Sequence, residues 1–123
     1  MHHSRIIRIV FALFTGMLLA TSGCVTDPDL SEYPVVSFDE VKLIIGGNCT
    51  QSGCHGNINP TQFRLVDYGE IRQKVTPGDA RKSDLFRAIT GRTEIMPPSP
   101  SDPLTQNQIA KIYLWIQQGA QDN

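Results

Sequence analysis

Two cysteines and a histidine lie close together near the middle of the chain. Cys49 and Cys54 are separated by four residues, and His55 follows the second cysteine directly. A thiol can add across a vinyl group of a porphyrin, so two thiols can hold a haem by two thioether bonds, and a histidine beside the second thiol can then reach the iron. The pattern predicts haem attachment through Cys49 and Cys54, with the His55 imidazole as proximal ligand.

The spacing of the two cysteines departs from the commonest attachment pattern, which has two residues between them. Ser52 and Gly53 are typical of turns, so the additional residues can loop outward while both sulfurs stay near the ring. Two other interpretations remain open. Cys49 and Cys54 could close a small disulfide loop with His55 on the surface. A zinc site is also conceivable, but the nearby sequence offers no fourth ligand to complete it.

The N-terminal residues are typical of an export signal. Basic residues precede an apolar run over residues 9–20, and small residues follow that run. The run is shorter than the ~20 apolar residues that a membrane-spanning helix needs, and small residues favour cleavage. We therefore expect residues 1–23 to be a lipoprotein-type signal peptide that is removed on export.

Cys24 directly follows the predicted signal. The stretch that ends at Cys24 resembles a bacterial lipobox, although Thr21 stands at the position where a leucine is usual. The chain contains three cysteines, and an exported protein seldom leaves an odd thiol exposed. Lipidation of Cys24 would leave Cys49 and Cys54 as an even pair, so we expect a lipid anchor at Cys24.

One small domain should follow the signal. Residues 24–36 are polar, acidic and proline-bearing, which is typical of a flexible tether, and residues 37–123 are enough for a single modest core. Removing the signal takes away two of the eleven basic residues and none of the twelve acidic ones, which leaves a formal charge of −3. Without a basic stripe or interleaved aromatic residues, the sequence does not indicate nucleic-acid binding.

A single methionine remains as a candidate ligand. His55 and Met96 are the only residues of their types outside residues 1–23. Met96 belongs to no periodic apolar pattern, and Pro97 and Pro98 stiffen the loop that presents it. A thioether on a rigid loop is what a sixth iron ligand requires, so the sequence predicts Met96 as the distal axial ligand.

Four polar residues stand where helices are expected to begin. They are Ser37, Asp67, Ser83 and Thr105. Three of them, all except Ser83, have Glu or Gln three residues later, which is the signature of a capping box. Ser83 is expected to cap a short helix through its hydroxyl group.

The first and last helices should form the main contact of the fold. The first is predicted over residues 38–45, with Gly46-Gly47 as its end, and the last over residues 106–118, closed by Gly119. Trp115 lies beside the apolar stripe of the last helix and is expected to anchor it against the first. Strand patterns are sparse, so the predicted fold class is all-α.

The chain resembles a monohaem cytochrome c domain of the short type found in exported bacterial lipoproteins, similar to planctomycete-type cytochrome c modules. The resemblance covers residues 38–120. Its matching motifs are Cys49 with Cys54-His55-Gly56, Arg64-Leu65-Val66-Asp67-Tyr68, Pro77-Gly78-Asp79, Ser83-Asp84-Leu85, Met96-Pro97-Pro98, and Leu104 with Trp115-Ile116-Gln117-Gln118-Gly119-Ala120.

The resemblance implies a cytochrome c-like fold in which the terminal helices cross beside one covalent haem c. It implies His55 and Met96 as the axial ligands of the iron. In such domains a loop carbonyl after the motif commonly accepts the second imidazole proton, and we expect that carbonyl near Pro60.

We expect an electron carrier rather than an enzyme, cycling between Fe(II) and Fe(III) with both axial positions filled. Its expected partners are an unidentified redox protein and a membrane, the latter through the lipid on Cys24, on the periplasmic or outer-membrane side. Two alternatives remain open. One is a secreted interaction module closed by a disulfide, without haem. The other is a haem protein with an open distal site, either peroxidase-like or gas-binding.

Overall fold

The computed structural model describes residues 29–60, 63–91 and 95–123. Within these ranges the regular elements are four α-helices and two short 3-10 turns, with no β-strand. In chain order, the helices are α1 (Phe38–Asn48), α2 (Tyr68–Arg72), α3 (Asp84–Thr90) and α4 (Gln106–Gln117), and the 3-10 turns are Leu30–Glu32 and Ala80–Lys82. The predicted all-α class is confirmed for the described part of the chain.

The predicted signal over residues 1–23 and the predicted lipidation site at Cys24 lie outside the described residues. None of the helices in the described ranges combines the length and the apolar character that crossing a membrane requires.

Helix α1 begins as the sequence predicts and ends later. The Ser37 hydroxyl accepts a hydrogen bond from the Glu40 amide at 3.3 Å, and the Glu40 carboxylate accepts one from the Ser37 amide at 3.3 Å, so the capping box is confirmed. The predicted end at Gly46-Gly47 is wrong, because α1 continues to Asn48.

Side chains beyond the glycines explain the extra length of α1. The Thr50 hydroxyl donates to the Gly46 carbonyl at 2.8 Å, and the side-chain amide of Gln51 donates to the Gly47 carbonyl at 3.0 Å. The last carbonyls of a helix have no partner within the helix, so these side chains satisfy groups that would otherwise need water. The two glycines therefore lie inside the helix.

The caps of the two short helices behave differently. Asp67 caps α2 as predicted, since its carboxylate accepts a hydrogen bond from the Glu70 amide at 2.9 Å. The return bond of the predicted capping box does not form, because the Glu70 carboxylate accepts from the Val66 amide at 2.9 Å and not from the Asp67 amide. Ser83 occupies the N-cap position of α3, but its side chain makes no capping bond, so that prediction is wrong. The fully buried Ser83 hydroxyl instead accepts from the Thr76 amide and donates to the Asp79 carbonyl, both at 2.8 Å. Ser83 therefore holds together the loop that precedes α3.

Helix α4 packs against α1 around one aromatic contact. The Trp115 side chain is 1% exposed, and its ring centroid lies 5.9 Å from that of Phe38 at the start of α1. The indole N–H donates to the Gln121 carbonyl at 2.9 Å, so the buried polar end of the ring is satisfied. One turn before Trp115 in α4, Lys111 forms an ion pair of 2.6 Å with Glu40 in the first turn of α1. The predicted role of Trp115 as anchor is confirmed.

The C-terminal end of α4 also holds the segments before α1 and α3. The Gln118 side chain accepts a hydrogen bond from the Val36 amide at 2.9 Å and donates to the Pro34 carbonyl at 3.0 Å. The Gln117 side chain accepts from the Ala80 amide at 2.8 Å. Helix α4 begins with the predicted Thr105 and Gln108 capping box and is followed by Gly119, whose φ of +103° suits glycine.

One buried apolar cluster connects these elements, and it includes Cys49. Its members are Val36, Phe38, Val41, Ile45, Cys49, Leu65, Ile71, Val75, Ala80, Leu85, Ile89, Leu104, Ile112, Trp115, Ile116 and Ala120. The end of α1 thus directs the first cysteine of the motif into the core and leaves the following residues at the surface.

We predict that Ser83→Ala lowers the free energy of unfolding by about 1 to 3 kcal/mol, because the partly buried Thr76 amide loses its acceptor, the fully buried Ser83 hydroxyl. The measurement is denaturant-induced unfolding followed by circular dichroism, with Ser101→Ala as control because Ser101 is exposed. Equal stabilities for the two variants would contradict the role assigned to the Ser83 hydroxyl.

Candidate haem-attachment site

The loop from Cys49 to Gly56, here called the attachment loop, turns back on the end of α1. The Cys49 amide donates to the Ile45 carbonyl at 2.7 Å, which ties the start of the loop to the helix. The Cys54 amide donates to the Gln51 carbonyl at 2.9 Å, and the His55 amide donates to the Cys49 carbonyl at 2.9 Å. The four residues between the cysteines therefore form a closed turn that returns Cys54 and His55 to the neighbourhood of Cys49.

Two glycines make this turn possible. Gly53 has a φ of +79°, a conformation that other residues adopt only with strain. Gly56 is buried, and a Cβ atom at this position would lie 2.2 Å from the Thr50 carbonyl oxygen. The backbone at Gly56 passes very close to the backbone at Thr50, so only a residue without a side chain fits at position 56.

Three hydrogen bonds fix His55. Besides the bond from its amide to Cys49, its carbonyl accepts from the Leu65 amide at 2.8 Å, and its Nδ1 lies 3.1 Å from the Phe63 carbonyl oxygen. A carbonyl can only accept, so Nδ1 carries a proton, and in the neutral imidazole Nε2 is then the nitrogen with the lone pair. That is the tautomer of an imidazole that binds a metal through Nε2 while its other nitrogen is held by a backbone acceptor.

The acceptor is the Phe63 carbonyl, three residues beyond Pro60, near which the sequence predicted it. The path of the chain after the loop explains why Phe63 is the acceptor. Residues 63–65 run back beside His55, as the bond from Leu65 to His55 shows, whereas Pro60 is exposed.

The Phe63 side chain also contacts His55. The two rings are stacked, with centroids 4.4 Å apart and planes inclined by 21°. The Lys74 ammonium nitrogen lies over the Phe63 ring, 4.1 Å from its centroid. Neither contact could be predicted from the sequence, because no fixed spacing connects Phe63 or Lys74 to the cysteine motif.

Arg64 ties the segment after the attachment loop to α2. Its guanidinium forms an ion pair of 2.5 Å with Glu70 and donates to the Asn57 side chain at 3.1 Å. The Glu70 carboxylate also accepts from the Val66 amide at 2.9 Å. Arg64 belongs to one of the motifs that carry the family resemblance, so the sequence did contain a signal for this position.

The two cysteines differ in burial and are not joined by a disulfide bond. Cys49 is 9% exposed, and Cys54 is half-buried. Burial is the main cause and the neighbouring Cys54 the second cause that together raise the pKa of the Cys49 thiol to about 11. Cys49 is therefore protonated at neutral pH, and a thiol is the species whose sulfur and proton add across a vinyl group.

Met96 is held by a different helix from the one that holds the attachment loop. Its amide donates to the Ala88 carbonyl in α3 at 2.9 Å, and the following Pro97 is buried. The Met96 side chain is 37% exposed, so the thioether is accessible at the surface. The attachment loop is held by α1 and residues 63–65, whereas Met96 is held by α3.

The donor set consists of the residue types that a covalent haem requires. It includes two thiols in one turn, one imidazole whose Nδ1 is held by a backbone carbonyl, and one thioether on an exposed residue. Among the described residues, no group of three or more His, Cys, Asp or Glu side chains is arranged to hold a metal, and the zinc interpretation gains no support.

Two surface grooves follow the exposed side of α1. One, of about 450 Å³, lies between α1 and α4 and is lined by Glu40, Leu43 and Lys111, among others. The other, of about 760 Å³, includes Leu43 and Thr50. Neither groove is lined by the predicted haem ligands.

Comparisons with known proteins found no matching family model, no matching curated relative and no matching solved structure.

We predict that Gly56→Ala lowers the free energy of unfolding by about 1 to 3 kcal/mol, since its methyl group would overlap the Thr50 carbonyl. Gly46→Ala is the matched control. Gly46 lies in α1 with open space around it, so the same added methyl group should stabilise the protein by roughly 0.5 to 1 kcal/mol. Denaturant unfolding of both variants tests this, and a neutral Gly56→Ala would contradict the described loop geometry.

Proposed function

We propose that this chain is an exported monohaem c-type cytochrome that carries single electrons. Cys49 and Cys54 bind the haem by thioether bonds, and His55 and Met96 are the axial ligands. The observation that supports this most strongly is the state of His55. Its Nδ1 is held by the Phe63 carbonyl, in the same closed turn that brings the two cysteines together, so Nε2 is the nitrogen left for a metal.

A haem bound here would supply one-electron cycling between Fe(II) and Fe(III). The residues of the chain would hold the haem ligands in position and keep water away from them. The Phe63 carbonyl orients the imidazole of His55, and the buried cluster that contains Cys49 excludes water from one side of the attachment loop. Met96 offers a thioether, which favours the reduced state more than a second imidazole would. With both axial positions filled, electron transfer is favoured over chemistry on a substrate.

We also propose that the all-α fold is cytochrome c-like. In a cytochrome c-like fold, α1 and α4 are the terminal helices that cross beside the haem. The contact of Trp115 with Phe38 supports this arrangement, as does the position of Cys49 at the end of α1, inside the core.

We predict that both cysteines are blocked by thioether bonds in protein made in a host that attaches haem. The protein is unfolded, reduced and treated with iodoacetamide, and its peptides are analysed by mass spectrometry. One peptide should carry the mass of one haem, with neither Cys49 nor Cys54 alkylated. Ser52→Ala is the control, because it alters the same turn and keeps both sulfurs.

Alkylation of both cysteines after reduction, with no haem mass, would contradict the proposal. If the unreduced protein also resisted alkylation, the pair would form a disulfide, and the non-haem interaction module would be the better account.

We predict that Met96→Ala opens the sixth coordination position of the iron. Carbon monoxide should then bind the reduced variant at once, whereas the unchanged protein should bind it slowly or not at all. Ile95→Ala is the matched control, since Ile95 is the exposed neighbour of Met96. Rapid binding by the unchanged protein would contradict ligation by Met96 and favour the open distal site of a peroxidase-like or gas-binding protein.

We further propose that Cys24 carries the lipid that anchors the protein to a membrane, on the periplasmic or outer-membrane side. The redox partner is a protein whose identity the sequence does not specify. Cys24→Ser should move the protein from the membrane fraction to the aqueous fraction on detergent phase partitioning, with haem content unchanged. Equal partitioning of the variant and the unchanged protein would contradict the anchor.

A further inference from the structure

Phe63 contacts His55 twice, once through its backbone and once through its side chain. The carbonyl lies 3.1 Å from Nδ1, and the phenyl ring is stacked on the imidazole at 4.4 Å. The hydrogen bond fixes which nitrogen carries the proton, but an imidazole can still rotate about the direction of one bond. A flat ring stacked on its face opposes that rotation. The two contacts together define the plane of the imidazole.

Lys74 extends this arrangement with a charge. Its ammonium nitrogen lies 4.1 Å from the centroid of the Phe63 ring, which is the geometry of a cation–π interaction. The backbone of Lys74 is fixed at both sides, since its amide donates to the Ile71 carbonyl at 3.0 Å and its carbonyl accepts from the Leu85 amide at 2.9 Å. The junction between α2 and α3 therefore holds a positive charge close to the candidate ligand.

We propose that the Lys74 and Phe63 side chains are positioning residues for His55, with Phe63 setting the plane of the imidazole and Lys74 raising the reduction potential of the bound haem. This inference rests on the proposed function. Oxidation places one more positive charge at the metal that His55 would hold, and the Lys74 ammonium opposes that charge. The reduced form is therefore favoured relative to the oxidised form.

The expected size of the change in reduction potential follows from the distances that join Lys74, Phe63 and His55. The Lys74 nitrogen lies at most 8.5 Å from the centre of the His55 ring, which is the sum of the 4.1 Å and 4.4 Å separations. A unit charge at this range in water-like surroundings changes an equilibrium by about twofold. For a one-electron couple, a twofold change corresponds to about 18 mV.

The test compares four haem-loaded variants, and the two conservative replacements Lys74→Arg and Phe63→Tyr, with the unchanged protein. Lys74→Gln removes the charge, and Lys42→Gln makes the same change at an exposed position on α1. Phe63→Leu removes the flat ring and keeps the carbonyl. Phe86→Leu is its control, because Phe86 is also half-buried and pairs with another aromatic ring, that of Tyr113.

Two readouts separate positioning from simple loss of stability. Redox titration at low ionic strength should give a ratio of reduced to oxidised protein about twofold lower for Lys74→Gln at a fixed ambient potential, with Lys74→Arg restoring the ratio. The electron paramagnetic resonance spectrum of the oxidised protein reports the orientation of the axial imidazole. Its g values should change in Phe63→Leu and return in Phe63→Tyr, while Phe86→Leu leaves them unchanged.

Coloured variants with the same potentials and g values as the unchanged protein would overturn this inference and leave the proposed function intact. Equal shifts for Lys74→Gln and Lys42→Gln would overturn the role of Lys74, because the effect would then be one of net charge. An unchanged protein that carries no haem would overturn the proposed function, and this inference with it.

Discussion

The packing of Trp115 against Phe38 is the contact on which the rest of the structure depends. It joins the last helix to the first, and both side chains are almost fully buried. The residues that follow Trp115 bind the segment before α1 and the loop before α3, through Gln118 and Gln117. Because α1 is held at its start, Cys49 at its other end lies at a defined place in the core.

The attachment loop then holds the His55 imidazole in a fixed position relative to the end of α1. The turn closes when the His55 amide binds the Cys49 carbonyl, and Gly56 permits the close crossing with Thr50. The returning segment supplies the Phe63 carbonyl and ring to the same histidine. In the proposed cytochrome, an axial ligand held by several independent contacts would need little rearrangement when the metal changes charge, which would favour fast electron transfer.

Local patterns of the sequence predicted the parts of the fold that depend on neighbouring residues. The capping boxes at Ser37 and Thr105 formed because both partners lie within one turn of helix. The burial of Trp115 followed from the apolar stripe beside it. The fold class and the grouping of Cys49, Cys54 and His55 could be predicted for the same reason.

Contacts made by loop residues could not be predicted in this way. The end of α1 depends on side chains of Thr50 and Gln51 that fold back on its last turn. Ser83 has the residue type of a cap, but a nearby backbone amide binds its hydroxyl instead. The stack of Phe63 on His55 exists only because the chain reverses after the loop, and no spacing rule in the sequence specifies that reversal.

The most direct test of the central claim is the pyridine haemochrome spectrum of the exported protein, made in cells that attach haem and extracted with acidified acetone to remove any pigment that is not covalently bound. The account predicts that the c-type spectrum remains with the protein, at one haem per chain. A colourless protein, from cells that mature a control cytochrome, would contradict it.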